Sequence, residues 1–225
     1  MTRHVEFDEN VGDLFLDILE RKYGPEPGVI IETGPYKGQG STKALIAAQN
    51  EFDPIPHLAL EIVWEFVLEA REAVKDYPWV EVIHAVPTGL TEARQFILED
   101  EWLKQCPRTI VDYPDPLGGY LWELSDEHIG ANEHVPEQFW FARHLPRYRR
   151  KMPFFFLDSG GGTGWLEFLT VTALMHGYQY YVFLDDTDHV KHWRSREHIE
   201  QHPKEWQIEA KDNKKTPRWI FARKV

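Results

Sequence analysis

A short apolar run that passes directly into a glycine-rich turn decides the fold: Gly28-Val-Ile-Ile-Glu32-Thr-Gly34-Pro-Tyr36-Lys-Gly38-Gln-Gly40-Ser-Thr42. A continuous apolar run bounded by glycine is typical of a strand that is covered on both faces. Residues 43–50, which follow the turn, predict a helix. Glycines between a strand and a helix let a ligand approach the backbone, and the N-terminus of the helix offers free N–H groups. The stretch therefore predicts the opening of a ligand-binding α/β fold.

The same order of strand, turn and helix recurs along the chain. Apolar strands are predicted at 57–62, 80–84, 153–158 and 180–186, each followed by a helical pattern. The tail adds a helix near 195–201 and two strands, near 206–210 and 218–223, which a short turn should pair antiparallel. The predicted fold class is α/β: a Rossmann-like, seven-stranded, mostly parallel sheet with the last strand antiparallel and helices on both faces.

The length of 225 residues fits one domain, 1–225, with one insertion. We expect an N-terminal helix within 1–26 and an aromatic-rich insertion or lid at 106–151, before the fourth core strand. Residues 115–138 of this insertion contain six acids and no Lys or Arg, whereas 143–151 contain five basic residues and no acid. Either these are solvated faces, or they form a rim that contacts a substrate or a second subunit. The predicted N-terminal helix has an apolar face made of Val11, Leu14, Phe15, Ile18 and Leu19.

Composition excludes several classes of protein. The chain is 42% hydrophobic, which is too apolar for a disordered protein. Its net charge of −12 disfavours nucleic acid and anionic membrane as partners. Cys106 is the only cysteine, so no intrachain disulfide can form. Since the most apolar stretch, 164–175, is short and contains Glu167, we expect a soluble, cytoplasmic protein. The aromatic insertion is compatible with a homodimer.

An acid ends the second predicted strand at a spacing suited to a nucleotide. Glu61 follows Gly40 by about 20 residues, the separation at which an acid reaches the ribose hydroxyls in such folds. The alternative is a tight turn and an unrelated surface glutamate. Nicotinamide cofactors bind with the same geometry, but their glycine spacing, GxGxxG, differs from Gly34-x-x-x-Gly38-x-Gly40. A nucleotide other than a nicotinamide cofactor is therefore favoured.

At this turn the sequence resembles the class I S-adenosylmethionine-dependent methyltransferases, whose first motif combines an acid with spaced glycines. In that family the turn passes the methionine part of the cofactor, and the acid that ends the second strand holds the ribose. The resemblance implies S-adenosylmethionine as cofactor, with Glu61 on its ribose. It also implies that the following residues line the cofactor: Glu32, Gly34, Tyr36, Gly38, Gly40 and Ser41.

Three carboxylates follow the next two strands. Asp158 ends the fourth core strand, and Asp185 and Asp186 end the fifth. Neighbouring strands lie about 5 Å apart, so these acids would repel one another unless a cation lies between them. Oxygen ligands favour Mg²⁺, Mn²⁺ or Ca²⁺. The alternative is that the acids cap the helices that follow.

This pattern also resembles the metal-dependent O-methyltransferases of the catechol and macrolide-sugar types, which place one Asp after the fourth strand and an acidic pair after the fifth. It implies metal-assisted methylation of a hydroxyl on a small-molecule substrate. The catechol-type enzymes carry a lysine base three residues after the first Asp, but Gly161 stands there in this chain. His189 and Lys191 are the candidate bases, unless they are only charged residues at a helix start. A non-catalytic binding module and an NAD(P)-dependent oxidoreductase are the alternative functions.

Overall fold

The computed structural model describes residues 14–18, 20 and 27–225. The strands are β1 (Ile30–Thr33), β2 (His57–Glu61), β3 (Val80–His84), β4 (Phe154–Leu157), β5 (Tyr180–Leu184), β6 (Trp206–Lys211) and β7 (Ile220–Lys224). Within this part of the chain they form one seven-stranded sheet, in the order β3-β2-β1-β4-β5-β7-β6. All pairs among strands β1 to β5 are parallel, and β7 is antiparallel to both of its neighbours, β5 and β6. The predicted fold class is confirmed.

Helices connect the strands. The helical pattern predicted after the strand at 80–84 is two helices, α3 (Leu90–Glu99) and α4 (Glu101–Gln105). They are separate because the backbone at Asp100 is extended and its side chain caps α4, accepting a hydrogen bond from the N–H of Trp102 at 3.1 Å. The helices are α1 (Ser41–Gln49), α2 (Trp64–Ala73), α3 (Leu90–Glu99), α4 (Glu101–Gln105), α5 (Pro116–Glu123), α6 (Asp126–Ile129), α7 (Trp140–His144), α8 (Gly164–Leu174) and α9 (Trp193–Gln201). No helix in the described ranges is both long enough and apolar enough to cross a membrane.

The core has a layer on each face of the sheet. On β4, Phe155 and Leu157 contribute to the layer that contains α7 and α8, whereas Phe154 and Phe156 face the opposite layer. This alternation explains why the strand is apolar at every position. In the second layer the ring of Phe15 packs edge-to-face on three aromatic rings, with centroid distances of 5.6 to 6.0 Å.

Residues 14–18 are helical, in agreement with the predicted N-terminal helix. Leu14, Phe15 and Ile18 are buried against the sheet. Val11 and Leu19, which the sequence placed on the same face, lie outside the described residues.

The predicted insertion has two structurally different parts. At Glu137 the chain runs beside the end of β3: its N–H donates to the carbonyl of His84 at 3.0 Å, and its carbonyl accepts from Val86 at 2.8 Å. Trp140, Phe141 and Leu145 then enter the main core and are almost completely buried. Residues 137–145 therefore belong to the crossover between β3 and β4, and only the earlier part of the segment lies over the ends of the strands.

Candidate active site

The turn after β1 lies where the strand order reverses, since β1 has β2 on one side and β4 on the other. Four alternate residues of this turn, Gly34, Tyr36, Gly38 and Gly40, have φ values of 70°, 54°, 70° and 62°. Only glycine adopts this left-handed region without cost. At Gly34 a Cβ would also lie 2.4 Å from the carbonyl oxygen of Asp158. The turn is therefore held directly against the turn that follows β4.

The buried side chain of Glu32 holds this turn from the interior of the protein. Its carboxylate is fully buried and accepts hydrogen bonds from the hydroxyl of Ser41 at 2.6 Å and from that of Thr42 at 3.0 and 3.1 Å. His57 Nε2 lies 2.9 Å from Oε2 of Glu32. The network ties the N-terminus of α1 to β1 and β2. Because Glu32 and Ser41 bond to each other inside the protein, their side chains support the turn. Sequence reasoning missed Thr42 and His57, although a histidine that opens an apolar strand is itself a signal of a buried partner.

Glu61 lies beside the same turn. Its Oε1 accepts hydrogen bonds from the backbone N–H groups of Ile62 and Val63, both at 2.8 Å, and the N–H of Tyr36 also donates to the carboxylate. Burial raises the pKa of Glu61 to about 7, although these three N–H groups lower it. The structure thus brings the glycine turn and the acid that ends β2 into direct contact.

The acids after β4 and β5 surround a lysine. Lys191 Nζ lies 2.5 Å from Oδ1 of Asp158 and 2.9 Å from Oδ2 of Asp186. The buried carboxylate of Asp185 accepts a hydrogen bond from the backbone N–H of Asp186 at 2.9 Å. Within the described ranges no group of three His, Cys, Asp or Glu side chains is arranged to hold a metal ion. The expected metal site at Asp158, Asp185 and Asp186 is therefore not supported, because an ammonium group lies between two of the acids.

The electrostatics of this cluster also change the expected role of Lys191. Burial opposes its charged form, but Asp158 and Asp186 hold the pKa of Lys191 well above its ordinary value. A lysine of this kind is protonated at neutral pH, so the structure does not favour Lys191 as a base. Burial raises the pKa of Asp158 to about 7 and that of Asp185 to about 6. Burial opposes ionisation of Asp186 too, but Lys191 lowers the pKa of that carboxyl. Three acids face Lys191, and Arg218 Nε lies 3.9 Å from Oδ1 of Asp186, so the acids outnumber the cations by one.

A second glycine turn, Gly160-Gly-Gly-Thr-Gly164, follows β4, and the earlier part of the insertion packs over it. A Cβ at Gly161 would lie 2.8 Å from the ring of Tyr120 and 2.9 Å from Oδ2 of Asp112. The hydroxyl of Tyr120 donates to Asp112 Oδ2 at 3.2 Å, and that of Tyr113 donates to Glu123 at 2.7 Å. Burial raises the pKa of Glu123 to about 7. The glycines of this turn are thus explained by the side chains that cover them.

His189 faces the same cluster. Its Nε2 lies 3.3 Å from Oδ1 of Asp112, and its side chain is 22% exposed. Burial lowers the pKa of His189, although Asp112 and Asp186 raise it. A neutral imidazole can accept a proton. Sequence reasoning named His189 but missed Asp112, whose signal was the short apolar run 109–111 that ends in an acid.

A further buried acid joins α8 to β1. Glu167 is 2% exposed and accepts a hydrogen bond from the hydroxyl of Thr33 at 3.1 Å. Burial raises the pKa of Glu167 to about 7. The only sequence signal for this contact was the interruption of the most apolar stretch by an acid.

Comparison with known proteins identifies the fold. No protein-family model matches the chain, and no curated protein matches it. Among solved structures, a candidate caffeoyl-CoA O-methyltransferase from Staphylococcus aureus has a TM-score of 0.51 at 13% identity, covering 97% of this chain and 84% of that one. A methyltransferase from Geobacter sulfurreducens has a TM-score of 0.53 at 10% identity, covering 99% and 82%. The SAH-bound Podospora anserina methyltransferase PaMTH1 has a TM-score of 0.51 at 14% identity, covering 97% and 79%. The chain therefore has the Rossmann-like methyltransferase fold.

Proposed function

We propose that this protein transfers a methyl group from S-adenosylmethionine to a hydroxyl group of a small molecule. The observation that carries the proposal is the junction between the glycine turn and the end of β2, where the N–H of Gly34 donates to the carbonyl of Leu60 at 3.0 Å and the N–H of Tyr36 approaches the carboxylate of Glu61. It lies at the edge of the sheet where the strand order reverses. Ligands of open α/β sheets bind in that crevice. One solved structure with this fold holds SAH, which is S-adenosylhomocysteine, the donor without its methyl group.

The residues of the crevice divide into two groups. The backbone of Gly34, Tyr36, Gly38 and Gly40 would line the donor, with Glu32 and Ser41 holding the turn from inside. Glu61 would accept hydrogen bonds from the ribose hydroxyls. S-adenosylmethionine supplies an activated methyl group on a positively charged sulfonium. The excess of acid after β4 and β5 favours a positively charged ligand nearby.

His189 would be the base. With Nε2 directed at Asp112, Nδ1 would accept the proton of the acceptor hydroxyl, and Asp112 would stabilise the imidazolium that results. Tyr113, Tyr120 and Glu123 would cover the acceptor and exclude water. The protein's main contribution would be alignment of the acceptor oxygen with the bond to be broken.

A methyltransferase-like module that binds without catalysing is the second candidate. The close cover of the second glycine turn by Tyr120 and Asp112 favours it, since this cover narrows the side from which an acceptor would enter.

One experiment distinguishes the methyltransferase from the non-catalytic module. The protein is incubated with methyl-tritiated S-adenosylmethionine and a panel of phenols, catechols, sugars and polyketide alcohols. Label should enter one acceptor class, and His189→Gln should slow the transfer by about 10² to 10⁴-fold while SAH binding is retained. SAH binding without transfer to any acceptor would favour the non-catalytic module. Absence of SAH binding would contradict both.

A further inference from the structure

We propose that Lys191 is a built-in cation that takes the place of a divalent metal ion, so that the acids after β4 and β5 bind no metal in the native protein. The inference concerns the charges at this edge of the sheet and does not depend on methyl transfer. It rests on the position of the ammonium, on the way the chain holds it there, and on the orientation of the three carboxylates.

The ammonium uses the oxygens that a metal ion would need. Nζ of Lys191 contacts Asp158 Oδ1 at 2.5 Å and Asp186 Oδ2 at 2.9 Å, distances of charge-assisted hydrogen bonds. Mg²⁺ and Ca²⁺ bind carboxylate oxygens at about 2.0 to 2.6 Å, so an ion placed between the same two oxygens would overlap the ammonium and be repelled by it. The two cations exclude each other.

Two of the four remaining carboxylate oxygens also have partners within the protein. Asp185 turns a carboxylate oxygen to the backbone N–H of Asp186, at 2.9 Å. The second oxygen of Asp186, Oδ1, lies 3.9 Å from Nε of Arg218. Both oxygens of Asp186 thus face cationic side chains of the protein itself.

The fold fixes Lys191 in this place. A Cβ at Gly164 would lie 2.8 Å from Cγ of Lys191 and 2.4 Å from its carbonyl oxygen, so the glycine at the start of α8 makes room for the lysine. The preceding residue, Val190, is buried, and its N–H donates to the carbonyl of Ile110 at 2.9 Å. The following residue, His192, is fully buried. With both neighbours held and Gly164 against its Cγ, the base of the Lys191 side chain is fixed beside the acids.

Manganese titration of the full-length protein, followed by electron paramagnetic resonance, is the first test. We expect no binding up to about 1 mM Mn²⁺, and no change in melting temperature when Mg²⁺, Mn²⁺ or Ca²⁺ replaces a chelator. Binding that raises the melting temperature, and that Asp158→Asn abolishes, would overturn the proposal.

Removing the ammonium is the second test. Lys191→Ala should lower the melting temperature in chelator, because the acids then repel each other, and saturating Ca²⁺ or Mn²⁺ should raise it again by about 3 to 10 °C. Lys204→Ala, which removes an exposed lysine, is the matched control and should respond to neither ion. A folded Lys191→Ala protein that ignores both ions would count against the proposal.

If Lys191→Ala does not fold, the titration of the native protein decides. SAH calorimetry on the same sample separates this result from the proposed function, because a protein that binds neither Mn²⁺ nor SAH supports the built-in cation and contradicts the methyltransferase.

Discussion

Gly34 lies so close to Asp158 that a Cβ on the glycine would be 2.4 Å from the aspartate's carbonyl oxygen. This contact joins the two halves of the site, since Gly34 begins the turn after β1 and Asp158 begins the turn after β4. The N–H of Gly34 also donates to the carbonyl of Leu60, the residue before Glu61, and the side chain of Asp158 contacts Lys191. The distance between the glycine turn after β1 and the acids after β4 and β5 is therefore set by a backbone contact and not by flexible side chains.

Gly34→Ala should be strongly destabilising, because the new methyl group meets backbone and because φ is 70°. We expect a loss of about 2 to 4 kcal/mol in the free energy of unfolding, measured with urea. Gly177→Ala is the matched control: φ there is 79°, but nothing lies within 4 Å of the added Cβ. It should cost about 1 kcal/mol, the conformational part alone. Equal losses for the two variants would show that the contact with Asp158 is unimportant.

Thr42→Val should expose the structural role of the buried network under the turn. The substitution keeps the shape of the side chain but removes the hydroxyl that donates to both oxygens of Glu32. The free energy of unfolding should fall by about 1 to 3 kcal/mol, because the buried carboxylate of Glu32 then loses one of its hydrogen-bond donors. Thr170→Val, whose hydroxyl only bonds to Leu166 within α8, should change stability by about 0.5 kcal/mol or less. If Thr42→Val is as mild as this control, the network does not hold the turn.

The pH dependence of stability should carry the signature of Glu61. Its pKa rises from 4.5 to about 7 on folding. The native state therefore binds more protons than the unfolded state between these values, and stability falls as pH rises from about 4.5 to about 7. Glu61→Gln should flatten this fall by about 1 to 3 kcal/mol in urea unfolding across the same pH range. Glu81→Gln, at an exposed position of β3, should leave the slope unchanged. An unchanged slope in Glu61→Gln would mean that this carboxyl is ionised throughout.

The pairing of Asp112 with His189 should appear in the pH profile of methyl transfer. Because the Asp112 carboxylate raises the pKa of His189, Asp112→Asn should move the acidic limb of the kcat profile to lower pH. His189→Gln should lower kcat by about 10² to 10⁴-fold with little change in SAH affinity. Asp115→Asn removes an exposed carboxylate from the same segment and should leave the profile in place. An unshifted limb in Asp112→Asn would remove this aspartate from the proposed mechanism.

The sequence predicted the framework because the framework depends on local pattern. The apolar run of β4 and the positions of the glycines after β1 are properties of adjacent residues, and they located the sheet and its crevice. The division of α3 from α4 at Asp100 was missed because an Asp inside a helical pattern interrupts it without changing its periodicity. Trp140 and Phe141 were assigned to an insertion for lack of a clear period, although their aromatic side chains fill the core.

The acid cluster was the part that local pattern could not resolve. Asp158, Asp185 and Asp186 lie at the ends of adjacent strands as predicted, but the cation expected between them was a divalent metal ion, and the structure has the ammonium of Lys191 there instead. The identity of that cation depended on Lys191, which is 33 positions from Asp158 in the chain and whose position follows from packing against Gly164. Asp112 was missed for the same reason, since its contact with His189 spans most of the insertion and β4 and β5.

Calorimetric titration of SAH into the native protein and into Glu61→Gln tests the central claim most directly. We expect one molecule bound per chain, with the affinity about tenfold or more weaker in Glu61→Gln, because the amide loses the charge that holds the ribose hydroxyls. Glu81→Gln should bind as the native protein does. Absence of binding at near-millimolar protein, or equal affinity in Glu61→Gln and the native protein, would contradict the account.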